Sequence, residues 1–256
     1  MTEEMSAYRR VWYSLVIPAV FGVVVFAGGR ITSALFPGVK GYSHWLLRIA
    51  MDSAFCLLAT MALYRTGLLG ALRALRVVAP VLGPVLMAIV ATLPMPILFS
   101  SSGSFSAGFD PLRLFFYAGI GPFEEELVYR GFGFWLLYRL ANWGFWPSAL
   151  LPAAVFSWGH VAQASSLGGA VGIVALTAAG SIWFSWLLLR WNSLWAPVAM
   201  HALMNGWWGV FEVDTTALGG LLANVARFAT IGLAIAITLR RDRLLSLLGR
   251  RRTDPL

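Results

Sequence analysis

Runs of about twenty apolar residues, the length needed to cross the hydrocarbon core of a bilayer as a helix, follow one another along this chain with only brief charged or Gly/Pro/Ser-rich breaks. Dividing the sequence at those breaks gives about eight such segments. They lie near residues 11–28, 44–64, 78–99, 112–138, 145–163, 169–189, 194–211 and 218–239. The expected fold is all-α, a polytopic transmembrane helical bundle of about eight spans, and the chain is expected to be one membrane-embedded domain over residues 1–256. Charge content supports this: 12% of residues are charged, whereas a soluble domain carries about 25%. Such a chain cannot cover a water-facing surface. Cys56 is the single cysteine and sits inside an apolar run, which excludes a disulfide framework and a thiolate metal cage. Arg9 and Arg10 precede the first run, but its length suits an uncleaved span better than a signal-peptide core.

The net charge of +8 is explained by where the basic residues fall. With both termini cytoplasmic, the inside segments collect Arg9, Arg10, Arg65, Arg73, Arg76, Arg139, Arg190, Arg240, Arg241, Arg243 and Arg250 to Arg252. The outside loops hold only Arg30, Lys40 and Arg113. This asymmetry follows the positive-inside rule and favours an even number of spans. The basic excess is then topological: the leucine-containing tail RRDRLLSLLGRRR is expected to lie on anionic headgroups, and no nucleic-acid partner is expected. No internal repeat is evident, which argues against an inverted-repeat transporter.

Against this background the informative residues are those a bilayer rejects, since an ionisable side chain at mid-span costs roughly 2.5–3.5 kcal/mol. The fourth segment contains Glu124, Glu125, Glu126 and Arg130 in an otherwise apolar run. Facing lipid, four such residues would cost about 10 kcal/mol, so a polar cavity is expected around them. Glu126 and Arg130 are at i, i+4 and can pair on one helix face. Glu125 points about 100° away from Glu126 and is left free for other work. Gly121 and Pro122, just before the acids, are expected to kink or restart the helix. His160 ends the fifth segment, and the seventh presents His201 and Asn205 at i, i+4. Together these residues supply a base, an acid and neutral donors on three spans. His44, Arg48 and Asp52, at i, i+4, i+8 of the second span, read as a structural polar stripe, and Arg227 of the last span as a snorkelling or helix-pairing residue.

Several intramembrane chemistries lack their residues here. There is no HExxH for a zincin, Asp52 is the only aspartate within a span, and the serine-rich stretch SSGSFSAG has no nucleophile-elbow spacing. A carboxylate that activates water remains.

The segments EELVYRG (Glu125 to Gly131), FSWGH (Phe156 to His160) and HALMN (His201 to Asn205) resemble, in order and spacing, the EExxxR, FxxxH and HxxxN/D motifs of the CPBP family. That family contains the CAAX prenyl endopeptidases of the Ras-converting type and bacterial intramembrane proteases linked to bacteriocin processing or self-immunity. The resemblance implies an intramembrane glutamate endopeptidase in which Glu125 is the general base, sharing a water with His160. It implies that His201 and Asn205 form an oxyanion hole and that Glu126 paired with Arg130 fixes the helix and tunes Glu125. No cofactor is expected. One Glu and two His could hold Zn²⁺, but the resemblance and the Asn partner of His201 favour a metal-free site. The expected substrate is a peptide or another membrane protein in a bacterial plasma membrane. The competing classes are a non-catalytic immunity or scaffold protein and a small proton-coupled transporter.

Overall fold

The computed structural model describes residues 7–101 and 110–247. The end of the basic tail, Arg250 to Arg252, and most of the serine-rich stretch lie outside the described residues. Among the described residues every regular element is helical. In a bilayer this is the arrangement that satisfies each backbone N–H and C=O within its own segment.

The first two helices, α1 (Ala7–Leu35) and α2 (Gly41–Tyr64), each bury one narrow stripe. In α1 it comprises Ile17, Phe21, Val24, Gly28 and Thr32, and in α2 Ile49, Asp52, Cys56 and Thr60, both following the three-to-four residue helical spacing. Their outward faces keep large apolar side chains exposed, among them Leu15, Phe26 and Leu58, as lipid-facing surfaces do. A short helix, α3 (Leu68–Ala74), precedes α4 (Leu82–Ser100).

The fifth helical rod, α5, runs over residues 111–139 and packs against α1, α2 and the next three helices along the chain. Asp110 caps its start, its Oδ1 accepting from Leu112 N–H and Arg113 N–H at 2.9 and 3.2 Å, and Pro111 takes the first turn, where no N–H is needed. Next come α6 (Phe145–His160), α7 (Leu167–Trp191), α8 (Trp195–Val210) and α9 (Leu221–Leu247). The main core forms where Phe21 and Ile17 of α1 meet Leu127, Phe132, Phe134 and Leu136 of α5.

Each of the eight expected segments is helical, yet among the described residues only five helices are long and apolar enough to cross a membrane. They are Ala7–Leu35, Gly41–Tyr64, Leu82–Ser100, Leu167–Trp191 and Leu221–Leu245. The helices α6 and α8 have 16 residues each, about 24 Å at the helical rise, against a core of about 30 Å. The remaining segment, α5, is long but charged.

The Gly121–Pro122 step produces a local widening within α5. Phe116–Ile120 forms a π-helical turn, the α-helix resumes at Gly121, and a second π-helical stretch covers Glu126–Phe134. Pro122 offers no N–H to the preceding turn, and Gly121 N–H donates to Phe116 O. The Tyr117 carbonyl is thereby freed for a side-chain donor. A Cβ at Gly121 would lie 2.6 Å from the Phe116 carbonyl oxygen, a backbone atom that cannot step aside. Gly121→Ala is expected to lower stability by about 1–3 kcal/mol, read as a drop in detergent unfolding temperature.

Candidate active site

Within α5 the acids separate by burial. Glu126 and Arg130 are both fully buried and pair through Arg130 Nη1 and Glu126 Oε1 at 2.9 Å, the i, i+4 pairing the spacing predicts. Phe156 and Phe184 cover the guanidinium, its carbon lying 4.7 and 5.3 Å from their ring centres. Aromatic faces are the natural neighbours of a desolvated cation that has only one carboxylate. Glu125, by contrast, keeps 39% of its side chain exposed.

His201 reaches these acids from α8. Its Nδ1 lies 2.7 Å from Glu126 Oε1, the oxygen that also accepts from Arg130, and its Nε2 lies 3.8 Å from Glu125 Oε2. Glu126 Oε1, paired with Arg130, accepts from His201 Nδ1–H, and this contact presents Nε2 toward Glu125. The divergence of Glu125 and Glu126 around α5 therefore does not separate their partners, because one imidazole spans the gap between them. Nothing in the spacing of either motif revealed this contact, which joins residues 75 positions apart.

Asn205, one turn along α8, donates from Nδ2 to the Tyr117 carbonyl at 3.1 Å, the carbonyl freed by the π-helical turn. A carboxamide nitrogen has a second N–H, which stays available. His160, at the end of α6, sits with Nδ1 2.8 Å from Phe156 O. A carbonyl only accepts, so Nδ1 is the donor and, in the neutral ring, Nε2 is an acceptor.

Glu125, His160, His201 and Asn205 line one cavity of about 590 Å³. Its walls include Trp45, Tyr117, Phe156 and Phe184, and it extends to Thr215, Thr216 and Arg227. Arg227 is buried there instead of snorkelling: its guanidinium lies over Trp208 at 4.7 Å and donates to Ala217 O and Asn224 Oδ1, both at 2.7 Å. The second-span stripe divides. Arg48 pairs with Asp52 at 3.3 Å, whereas His44 Nε2 meets Ser33 Oγ of α1 at 3.0 Å. Among the described residues no group of three or more His, Cys, Asp or Glu side chains is arranged to hold a metal ion.

An all-helical membrane protein with two histidines and a half-exposed carboxylate at one cavity is the class these features define. Residues 106–207 match the family model described as Type II CAAX prenyl endopeptidase Rce1-like, in agreement with the resemblance carried by the three motifs. The matched stretch contains Glu125, Glu126, Arg130, His160, His201 and Asn205. No curated protein and no solved structure matches the chain.

Proposed function

We propose that this protein is a glutamate-type intramembrane endopeptidase, acting as one membrane-embedded domain whose eight helical segments all take part in the bilayer assembly. The observation that carries the proposal is the convergence of Glu125, His160, His201 and Asn205, from three helices, on one cavity. Glu125 takes a proton from a water that His160 Nε2 also holds, and the water oxygen bonds to the scissile carbonyl carbon. His201, protonated on both ring nitrogens, donates from Nε2–H, and the free N–H of Asn205 donates beside it, to the carbonyl oxygen as it becomes negative. The proton then passes from Glu125 to the leaving nitrogen as the C–N bond breaks, giving a carboxyl product and an amine. The buried Glu126–Arg130 pair accepts from His201 Nδ1–H and so orients the ring with Nε2 toward the reacting centre.

The substrate is a peptide or membrane protein, and the setting is a bacterial plasma membrane with both termini cytoplasmic, as the distribution of arginines favours. Comparing the cleavage products of membranes that contain the wild-type chain or Glu125→Gln tests the reading. Products present only with wild type support it, and a phenotype indifferent to the substitution points to a scaffold. His201→Ala and Asn205→Ala are each expected to lower kcat about a hundred- to a thousandfold while changing KM far less, because the oxyanion forms only in the transition state. Cleavage is expected to persist in excess strong chelator. Loss that Zn²⁺ alone restores would replace the metal-free mechanism with a metallopeptidase.

A further inference from the structure

Glu125 and His160 stand between two cavities. Besides the large one, a smaller chamber of about 180 Å³ opens on their other side, between α1, α2, α5 and α6. Its volume is well above the ~10–15 Å³ that one water molecule requires. The larger cavity has apolar walls that include Met95, Phe184, Phe228 and Ile231, suited to a substrate chain. The smaller one gathers charge: Arg48 and Asp52 from α2 and Glu124 from α5, beside Tyr129. Asp52 is only 2% exposed, yet its Oδ1 has no hydrogen-bond partner. It is fitted there by Gly28, which lies so close to Oδ1 that a Cβ at that position would collide with it. Ionisable groups this costly within a membrane protein are retained where they serve a water-filled path.

Hydrolysis in a bilayer must bring water to a carbonyl whose own cavity the substrate has filled. We propose that the smaller chamber is the water-supply compartment of the site, with Glu124, Asp52 and Arg48 as positioning residues that order the water activated between Glu125 and His160. This rests on Glu125 acting as the base. It assigns work to residues the motifs leave unused: Glu124, which only precedes the EE pair, and the Arg48–Asp52 pair. Arg48, with its side chain 47% exposed, steadies Asp52 and marks the wetter part of the chamber wall.

The test uses Gly159, which lines the smaller chamber, is exposed, and has nothing within 4 Å of the position a Cβ would take. Gly159→Leu places bulk at that opening, its Cβ meeting no neighbouring atom within 4 Å. Tyr129, which lines the smaller chamber and is not among the residues lining the larger one, reports on water. Hydroxyl-radical footprinting in nanodiscs is expected to oxidise Tyr129 in the wild type and several-fold more slowly in Gly159→Leu. On a substrate identified by comparing wild type with Glu125→Gln, kcat is expected to fall about tenfold in Gly159→Leu, Asp52→Asn and Glu124→Gln with KM unchanged, the rate equivalent of one lost hydrogen bond to the nucleophilic water. A side chain with a purely structural role would not divide kcat from KM in this way.

The proposal is overturned if Tyr129 is as protected in the wild type as in Gly159→Leu. It is equally overturned if all three variants turn over at the wild-type kcat while Glu125→Gln is inactive. Activity of Glu125→Gln would instead remove the base, and Tyr129 oxidation would still report whether the chamber holds water.

Discussion

Glu125→Gln is expected to reduce peptide cleavage by two to four orders of magnitude, the range general-base catalysis supplies, while the protein unfolds at the wild-type temperature in detergent. The substitution keeps the size and shape of the side chain and removes its ability to accept a proton from water. Stability is expected to hold because Glu125 is half-exposed and its nearest ionic neighbour, His201 Nε2, stands at 3.8 Å, beyond hydrogen-bonding distance. Single-turnover cleavage in proteoliposomes is the measurement. Activity within about tenfold of wild type, a loss too small for a missing general base, would take Glu125 out of that role.

Arg130→Leu is expected to act through the fold. It strips the counter-ion from Glu126, a carboxylate with no exposed surface whose Oε2 already lacks a partner. Breaking a buried pair by removing one member costs about 3–5 kcal/mol, whereas replacing both members with neutral side chains of similar size is often close to neutral. Arg130→Leu is therefore expected to lower the unfolding temperature sharply, and the double variant Glu126→Gln/Arg130→Leu to recover most of the loss. The recovered protein is expected to remain slow, because the carboxamide that replaces the Glu126 carboxylate is a weaker acceptor for His201 Nδ1. A folded but slow double variant separates the part the pair plays in stability from the part it plays in holding His201. An Arg130→Leu protein as stable as wild type would show that the buried pair contributes nothing to the fold.

Much of the site was legible because helix pitch is a local property. Glu126 and Arg130 at i, i+4 pair at 2.9 Å, as their spacing predicts. His201 and Asn205, also at i, i+4, both line the larger cavity. The stripe on α2 shows where local spacing stops being sufficient. Arg48 and Asp52 pair along the helix, but His44, in the same register, finds Ser33 on α1 at 3.0 Å. A partner on a neighbouring helix leaves no trace in i, i+4 spacing. The same reason hid the turn geometry around Tyr117: the Gly121–Pro122 step announced a disturbance, and only the packed structure shows that it takes the form of a π-helical turn whose spare carbonyl receives Asn205.

By itself the sequence determined that this chain is helical and membrane-embedded, that its intramembrane charge concentrates at Glu124 to Arg130, and which polar residues accompany it. These follow from the cost of moving charge and unpaired backbone into hydrocarbon and from the 3.6-residue turn. Tertiary structure decided that Glu126 serves His201 as well as Arg130. It also decided that Glu125 and His160 separate an apolar cavity from a charged chamber, and that α6 and α8 are too short to qualify as spans on length and composition. Those outcomes depend on which helix faces meet and at what distance. Apolar faces in a bilayer pack by shape and by a few polar contacts, with no hydrophobic drive to distinguish them, so the pairing of helices is a property of the whole assembly that no single segment encodes.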